Sequence, residues 1–287
     1  VYSYTDMYTL KYQRVTPFMF FSSMNMDLFN TDIDHLMDNV VLRGNSGNGV
    51  MAWPTASDTY GGRLIGTIGS DMRAGIDYEH NRKDAEQYMV MSGSNTFLTY
   101  LWPGVETEKL GIFFEKDLGN ISYGLRYDQV ELDPTKAADD AGGMMFKTAN
   151  EVYTTDYDGT IVATKREYDN ISGFLRFTKD IDHGETYINL SVNERAPDTT
   201  ELFHAKWNAS SAMMRHVGNP NLSSERHMTI EVGYEGMLMG NHITGSVYYN
   251  DVDDYITTHR KDDSAMKARL YKNVDAELYG YEISVHR

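Results

Sequence analysis

"HMTIEVGYEGMLMGNHITGSVYYND", residues 227–251, is two alternating runs around a glycine-containing connection. In the first run Met228, Ile230, Val232 and Tyr234 oppose Thr229, Glu231, Gly233 and Glu235, and Ile243, Val247 and Tyr249 continue the scheme in the second. A period of two is the signature of a half-buried strand. The same period runs through "ISYGLRYDQV" (121–130), where Ile121, Tyr123, Leu125 and Tyr127 oppose Ser122, Gly124, Arg126 and Asp128. It recurs in "TYINLSVNER" (186–195) with Ile188, Leu190 and Val192. The chain therefore reads as all-β.

The connections sort into two kinds. Turn-like segments fall at 68–71, 116–120, 179–185 and 235–241, and between them lie longer polar stretches at 81–108, 131–167 and 195–225. Connections of that second length are uncommon in compact soluble domains. Strict alternation of short and long is what an antiparallel up-and-down barrel produces, with tight turns at one end and long loops at the other. A soluble sandwich or propeller has no reason to gather its long loops at one end, and no repeat of fixed period supports a propeller. The apolar side of the strands is rich in tyrosine, of which there are 21. Such a side chain suits a membrane interface, while the opposite side is polar enough to line a lumen.

The 287 residues carry a formal charge of −16 and no cysteine. The charge argues against nucleic acid, whose binders carry a basic stripe. It would suit a surface that attracts cations, although a solvated acidic face is the commoner reason for such a balance. No stretch approaches the ~18 consecutive apolar residues of a spanning helix. The sequence lacks an initiator methionine and stops inside an alternating run, so it reads as an internal piece, residues 1–287 forming one partial barrel. No nucleophile elbow or zinc-protease motif occurs, and an enzyme is not expected.

From residue 193 the chain reads "NERAPDTTELFHAKWNASSAMMRHVGNPNLSSERHMTIEVGYEG". This resembles the barrels of TonB-dependent outer-membrane receptors, through Arg195, Pro197, Glu201 and Leu202, then Gly218, Asn219, Pro220, Leu222 and Glu225. Ser223 and Ser224 replace the Lys-Pro that family members often carry before that glutamate. "YKNVDAELYGYEISV" extends the likeness with Asn273, Val274, Gly280 and Glu282. The resemblance implies a transmembrane antiparallel barrel of 22 strands in the bacterial outer membrane, of which this chain supplies roughly half. It also implies a plug outside the chain, contact with outer-membrane lipid, and energy from the TonB–ExbB–ExbD system.

The ligand is read from "IDHLMDNVVLRG", residues 33–44. Side chains two apart on a strand share a face, so His35 and Met37 converge, while Leu36, Val40 and Leu42 take the other side. Thioether sulfur is soft and selects Cu(I), and imidazole suits copper in either oxidation state. The segment resembles the copper-receptor branch of the family, in which a His-x-Met pair faces the lumen and joins soft ligands from the plug. The implied cargo is a copper ion, Cu(I), with His35 and Met37 as metal ligands. The ordinary alternative is that such a pair only packs the wall. Among the 17 methionines, Met24, Met26, Met51, Met89, Met91, Met144, Met145, Met213 and Met214 lie in or near segments expected at the loops and lumen. Met213, Met214 and His216 in "AMMRHVG" are further candidate contacts, although methionine also serves as a simple gap filler. Two other functions fit the same sequence: a receptor for a siderophore, haem or other metal chelate, and a surface-binding barrel that transports nothing.

Overall fold

The computed structural model describes residues 2–39, 50–91, 94–143, 145–157, 159–207, 215–262 and 267–286. The long strands are β1 (Tyr2–Arg14), β2 (Ser23–Asp38), β3 (Val50–Ile68), β4 (Met72–Met91), β5 (Ser94–Asp117) and β6 (Ile121–Pro134). After a short helix α1 (Ala149–Asp156) come β7 (Arg166–Ile181) and β8 (Gly184–Arg195). Helix α2 (Thr199–Phe203) and the three-residue β9 (Arg215–Val217) precede β10 (Glu225–Leu238), β11 (Asn241–Asp262) and β12 (Lys267–His286). The strands make one sheet in the order β1 through β8, β10, β11, β12, β9. Every neighbouring pair is antiparallel except β9, which lies parallel to β12 through Ala268–Leu270.

Register makes the two faces explicit, because residues directly opposite in a ladder share a face. Met26, Leu64, Ile76, Ile112, Tyr127 and Ile171 stand opposite one another in successive pairs from β2 to β7. Ile188, Val232, Val247 and Tyr281 continue this apolar row from β8 to β12. These residues face outward uncovered, Ile112 at 50% exposure and Ile171 at 61%. An apolar band outside and a polar face inside is the arrangement of an outer-membrane barrel. The inner face runs Arg63, Asp77, Gly111, Asp128 and Asn170 across the corresponding rungs. Gly111 matters here: a Cβ at that position would collide with the Arg126 guanidinium. The space lets Arg126 cross β5 to Asp77, at 2.9 Å for both Nη atoms, while its Nε holds Asp128 at 2.7 Å.

The expected alternation of short and long connections holds from β5 to β11 and fails between β4 and β5, which only residues 92–93 separate. Residues 69–71, 118–120, 182–183 and 239–240 are tight turns at one end, and the chain between β6 and β7 and between β8 and β10 forms long connections at the other. Residues 81–108, expected as a long loop, are instead the upper halves of β4 and β5. Their outward side chains change from apolar to charged above Tyr78 and Leu110, with Arg82 opposite Glu106 and His80 opposite Glu108. The hydrophobic period vanishes where the band ends, but the backbone ladder continues. Of the 33–44 stretch, β2 ends at Asp38. Val40, Leu42 and Arg43 lie outside the described residues.

The buried hydrophobic cluster sits at the loop end. α1 and α2 each begin with a capping box, Thr148 with Glu151 and Asp198 with Glu201, which satisfies orphan amides at each start. Val152, Tyr153, Leu202, Phe203, Val217 and Leu222 pack together over the upper strands. Tyr153 donates to the Phe203 carbonyl at 2.8 Å, and Trp207 Nε1 donates to the Met145 carbonyl at 2.9 Å. Arg215 Nη2 meets Asp156 Oδ1 at 2.5 Å with both side chains 2% exposed. The two long connections thereby form one packed canopy.

Candidate metal centre

His35 and Met37 are carried on β2, an unbroken strand of 16 residues, so their separation of two places both on one side. His35 stands opposite Thr55 of β3 and Ser3 of β1, and Met37 stands opposite Trp53. Thr55 shares the inner face with Ser57 and Thr59, which line a recess of about 610 Å³ together with Asn81, Lys83, Arg126 and Asp128. The pair therefore faces the lumen, His35 half-buried and Met37 46% exposed.

The same register brings two further thioethers to that face. Met51 is two positions from Trp53 and opposite Met89 of β4, and Gln87 Nε2 lies 3.9 Å from the Met51 sulfur. Asn39 closes the end of β2 onto β3, its Oδ1 accepting the Met51 N–H at 2.7 Å while its own N–H donates to the Met51 carbonyl at 3.2 Å. One imidazole and three thioethers thus occupy adjoining rungs of the loop-end lumen wall. Counting back from the tight turn at 69–71 recovers the Met51–Met89 pairing from sequence alone. Among the described residues, no group of three or more His, Asp or Glu is arranged to hold a metal. The soft donors are what this wall offers.

The other candidates separate from this cluster. Met24 and Met26 stand opposite Gly66 and Leu64 on the outer, lipid-side face, so their expected lumen position is corrected. Even positions of β2 point away from the odd ones that carry His35 and Met37. Met213 and Met214 lie outside the described residues. His216 is on β9 in the canopy, where desolvation, Arg269 and Lys206 lower its pKa. Its carbonyl lies 2.7 Å from His204 Nδ1, and desolvation pushes the His204 pKa down to about 4.

The residues of the Arg-x-Pro to Glu segment tie the canopy to the wall. Arg195 at the end of β8 donates to both Glu201 oxygens, at 2.9 and 3.2 Å, and through Nε to Glu225 at 2.9 Å. Pro197 lies where β8 gives way to α2 and Pro220 where the chain turns toward β10. Asn219 reaches the Tyr271 carbonyl at 3.2 Å, and the buried Leu222 gives its carbonyl to the Tyr168 hydroxyl at 2.9 Å. Burial would raise the pKa of Glu225, but Arg195, the Ile256 N–H and His227 together hold it below the ordinary carboxylate range.

A single sheet with an outward apolar band, a charged inner face and a one-ended canopy defines an outer-membrane barrel wall. Residues 2–286 match the family model described as "TonB dependent receptor-like, beta-barrel". The chain belongs to the TonB-dependent receptors, which are outer-membrane proteins. Among solved structures it is similar to the copper transporter OprC, at 20% identity and a TM-score of 0.76, covering 99% of this chain and 43% of that one. It is also similar to the Serratia marcescens hemophore receptor HasR, solved with its hemophore HasA and haem, at 19% identity, TM-score 0.58, and 99% and 46% coverage. The FrpB iron transporter of Neisseria meningitidis, F5-1 variant, follows at 15% identity, TM-score 0.58, and 99% and 42% coverage. At these identities the likeness is one of fold. The chain spans less than half the length of each of these three structures. No curated protein matches it.

Proposed function

We propose that this chain is part of the barrel of a TonB-dependent receptor that captures copper at the cell surface and imports it with energy from the TonB–ExbB–ExbD system. His35 and Met37 act as the barrel's ligands, and Met51 and Met89 extend the soft surface beside them. The observation that carries this reading is the shared lumen face of that imidazole and those three thioethers at the loop end. Thioethers favour Cu(I), whereas harder cations would call for carboxylate and carbonyl oxygens. Similarity to a copper transporter supports the same reading.

The test uses the full-length receptor in detergent, loaded anaerobically with Cu(I), with bound metal counted per chain. Copper retained by the wild type and lost in both His35→Ala and Met37→Ala, with zinc and iron failing to replace it, is the expected result. Unchanged loading in both variants sinks the ligand assignment.

A second reading, a receptor for an anionic metal chelate, draws on the recess of about 610 Å³, whose lining includes Lys83, Lys109, Arg126 and Arg195. Its mark is binding of a ferric siderophore or haem that survives loss of His35 and Met37 but falls when Lys83 and Lys109 are neutralised.

A further inference from the structure

The other turns at the short-turn end take two or three residues, whereas β1 and β2 are joined by residues 15–22, "VTPFMFFS". Val15 is 73% exposed, Met19 78% and Phe20 61%. Apolar surface of this kind is unfavourable in water in proportion to its area. The segment is nevertheless held in a defined shape. Phe18 and Phe21 exchange backbone hydrogen bonds of 2.9 and 3.0 Å, and the rings of Phe20 and Phe21 lie 4.2 Å apart.

Its direction is set by Gly66. A Cβ there would collide with the Phe21 ring, so that ring occupies the space left by the missing side chain. Gly66 stands opposite Met24 on the outer face, one rung from Leu64 and the apolar band. The turn is folded outward against the band, away from the lumen. Arg14 also stands opposite Met24 on this face. Its guanidinium carbon lies 4.6 Å from the Phe18 ring centroid and its Nε donates to the Thr16 carbonyl at 3.3 Å. Among the described residues no carboxylate pairs with it. Aromatic rings continuous with a lipid-facing band, with a cation at their edge, match the chemistry of the bilayer boundary, where rings lie at headgroup level and basic groups meet phosphate.

We infer that the β1–β2 turn is a membrane-interface anchor, its Phe18–Phe21 cluster inserted at the boundary of the leaflet on the short-turn side and Arg14 taking a phospholipid phosphate. The anchor is independent of the transported ligand and rests on the outward band alone.

The test labels Phe20→Cys, and separately Met19→Cys, of the otherwise intact full-length receptor with bimane. The receptor is placed in phosphatidylcholine–phosphatidylglycerol vesicles, with and without bromine on the acyl chains. Bromolipid should quench both probes at least two-fold more than aqueous iodide does, and Arg14→Gln should lower retained phosphatidylglycerol at least two-fold in native mass spectra. Iodide quenching without bromolipid quenching places the turn in water and overturns the anchor. Quenching by neither shows that protein covers it and overturns it equally. Unchanged phosphatidylglycerol retention in Arg14→Gln overturns the phosphate contact.

Discussion

Gly111 has no side chain, and Arg126 occupies the space to bridge Asp77 and Asp128 across β5. Gly111→Ala should displace that guanidinium and cost about 1.5–3 kcal/mol, the worth of a hydrogen bond to a charged group, read as a lowered unfolding midpoint in detergent. His204 has an acid-side consequence. Its folded pKa of about 4 lies below the ordinary 6.5, so the unfolded chain binds its proton first as pH falls. Canopy stability is therefore unaffected above about 6.5 and declines between there and 4. His204→Gln should flatten the pH dependence of canopy protection in hydrogen exchange across that window. That His35 and Met37 share a face was legible because a spacing of two fixes it, whereas the side of the wall that face takes comes from the ladder register. Met24 and Met26 went astray over phase: on one uninterrupted strand, positions 24 and 26 point opposite to 35 and 37. Their placement required knowing that β2 runs unbroken from Ser23 to Asp38.

The strands below the canopy could be read from period two, because the lipid band imposes an apolar residue at alternate positions. Above the band that pressure stops. Arg82, Asp84 and Glu86 on β4 and Glu106 and Glu108 on β5 look like loop composition, yet the strands remain paired apart from local register shifts at which β5 carries the extra residue. The canopy was hidden for a different reason. Its core joins Val152, Phe203 and Leu270 from three distant segments, and such contacts leave no local periodicity. Within it, the Arg215–Asp156 pair is fully enclosed, and Trp207 lies between Lys147 at 4.6 Å and Arg215 at 4.8 Å from its ring centroid. Arg215→Met should weaken the canopy by about 3–5 kcal/mol, because it takes from the buried Asp156 carboxylate the guanidinium it faces. Pairing it with Asp156→Leu should recover most of that loss. Limited proteolysis within 135–165 and 196–224 reads both: both connections should become cleavable together in the single variant, and cleavage of only one would contradict a common folded unit.

At the scale of the molecule, apolar side chains outside and charged ones inside invert the soluble pattern, and the bilayer supplies the missing partner for the outer face. Ile112→Arg, at the middle of the band on β5, should therefore cost about 2–4 kcal/mol in folding experiments with lipid vesicles. A cost below 1 kcal/mol would show that this row does not face lipid. In the proposed receptor, strands that outrun the band would also separate two events in space. Leu28 ends the apolar run on the outward face of β2 before Asn30, Asp32 and Asp34, and His35 stands seven residues beyond it, about 23 Å farther along the strand at ~3.3 Å per residue. In the proposed copper receptor, an ion held by His35 would stay in exchange with the exterior, within reach of a chelator that cannot enter the bilayer. Its residence time at capture and its passage past the hydrocarbon layer are then separate rates, so tight retention at the surface need not limit throughput below.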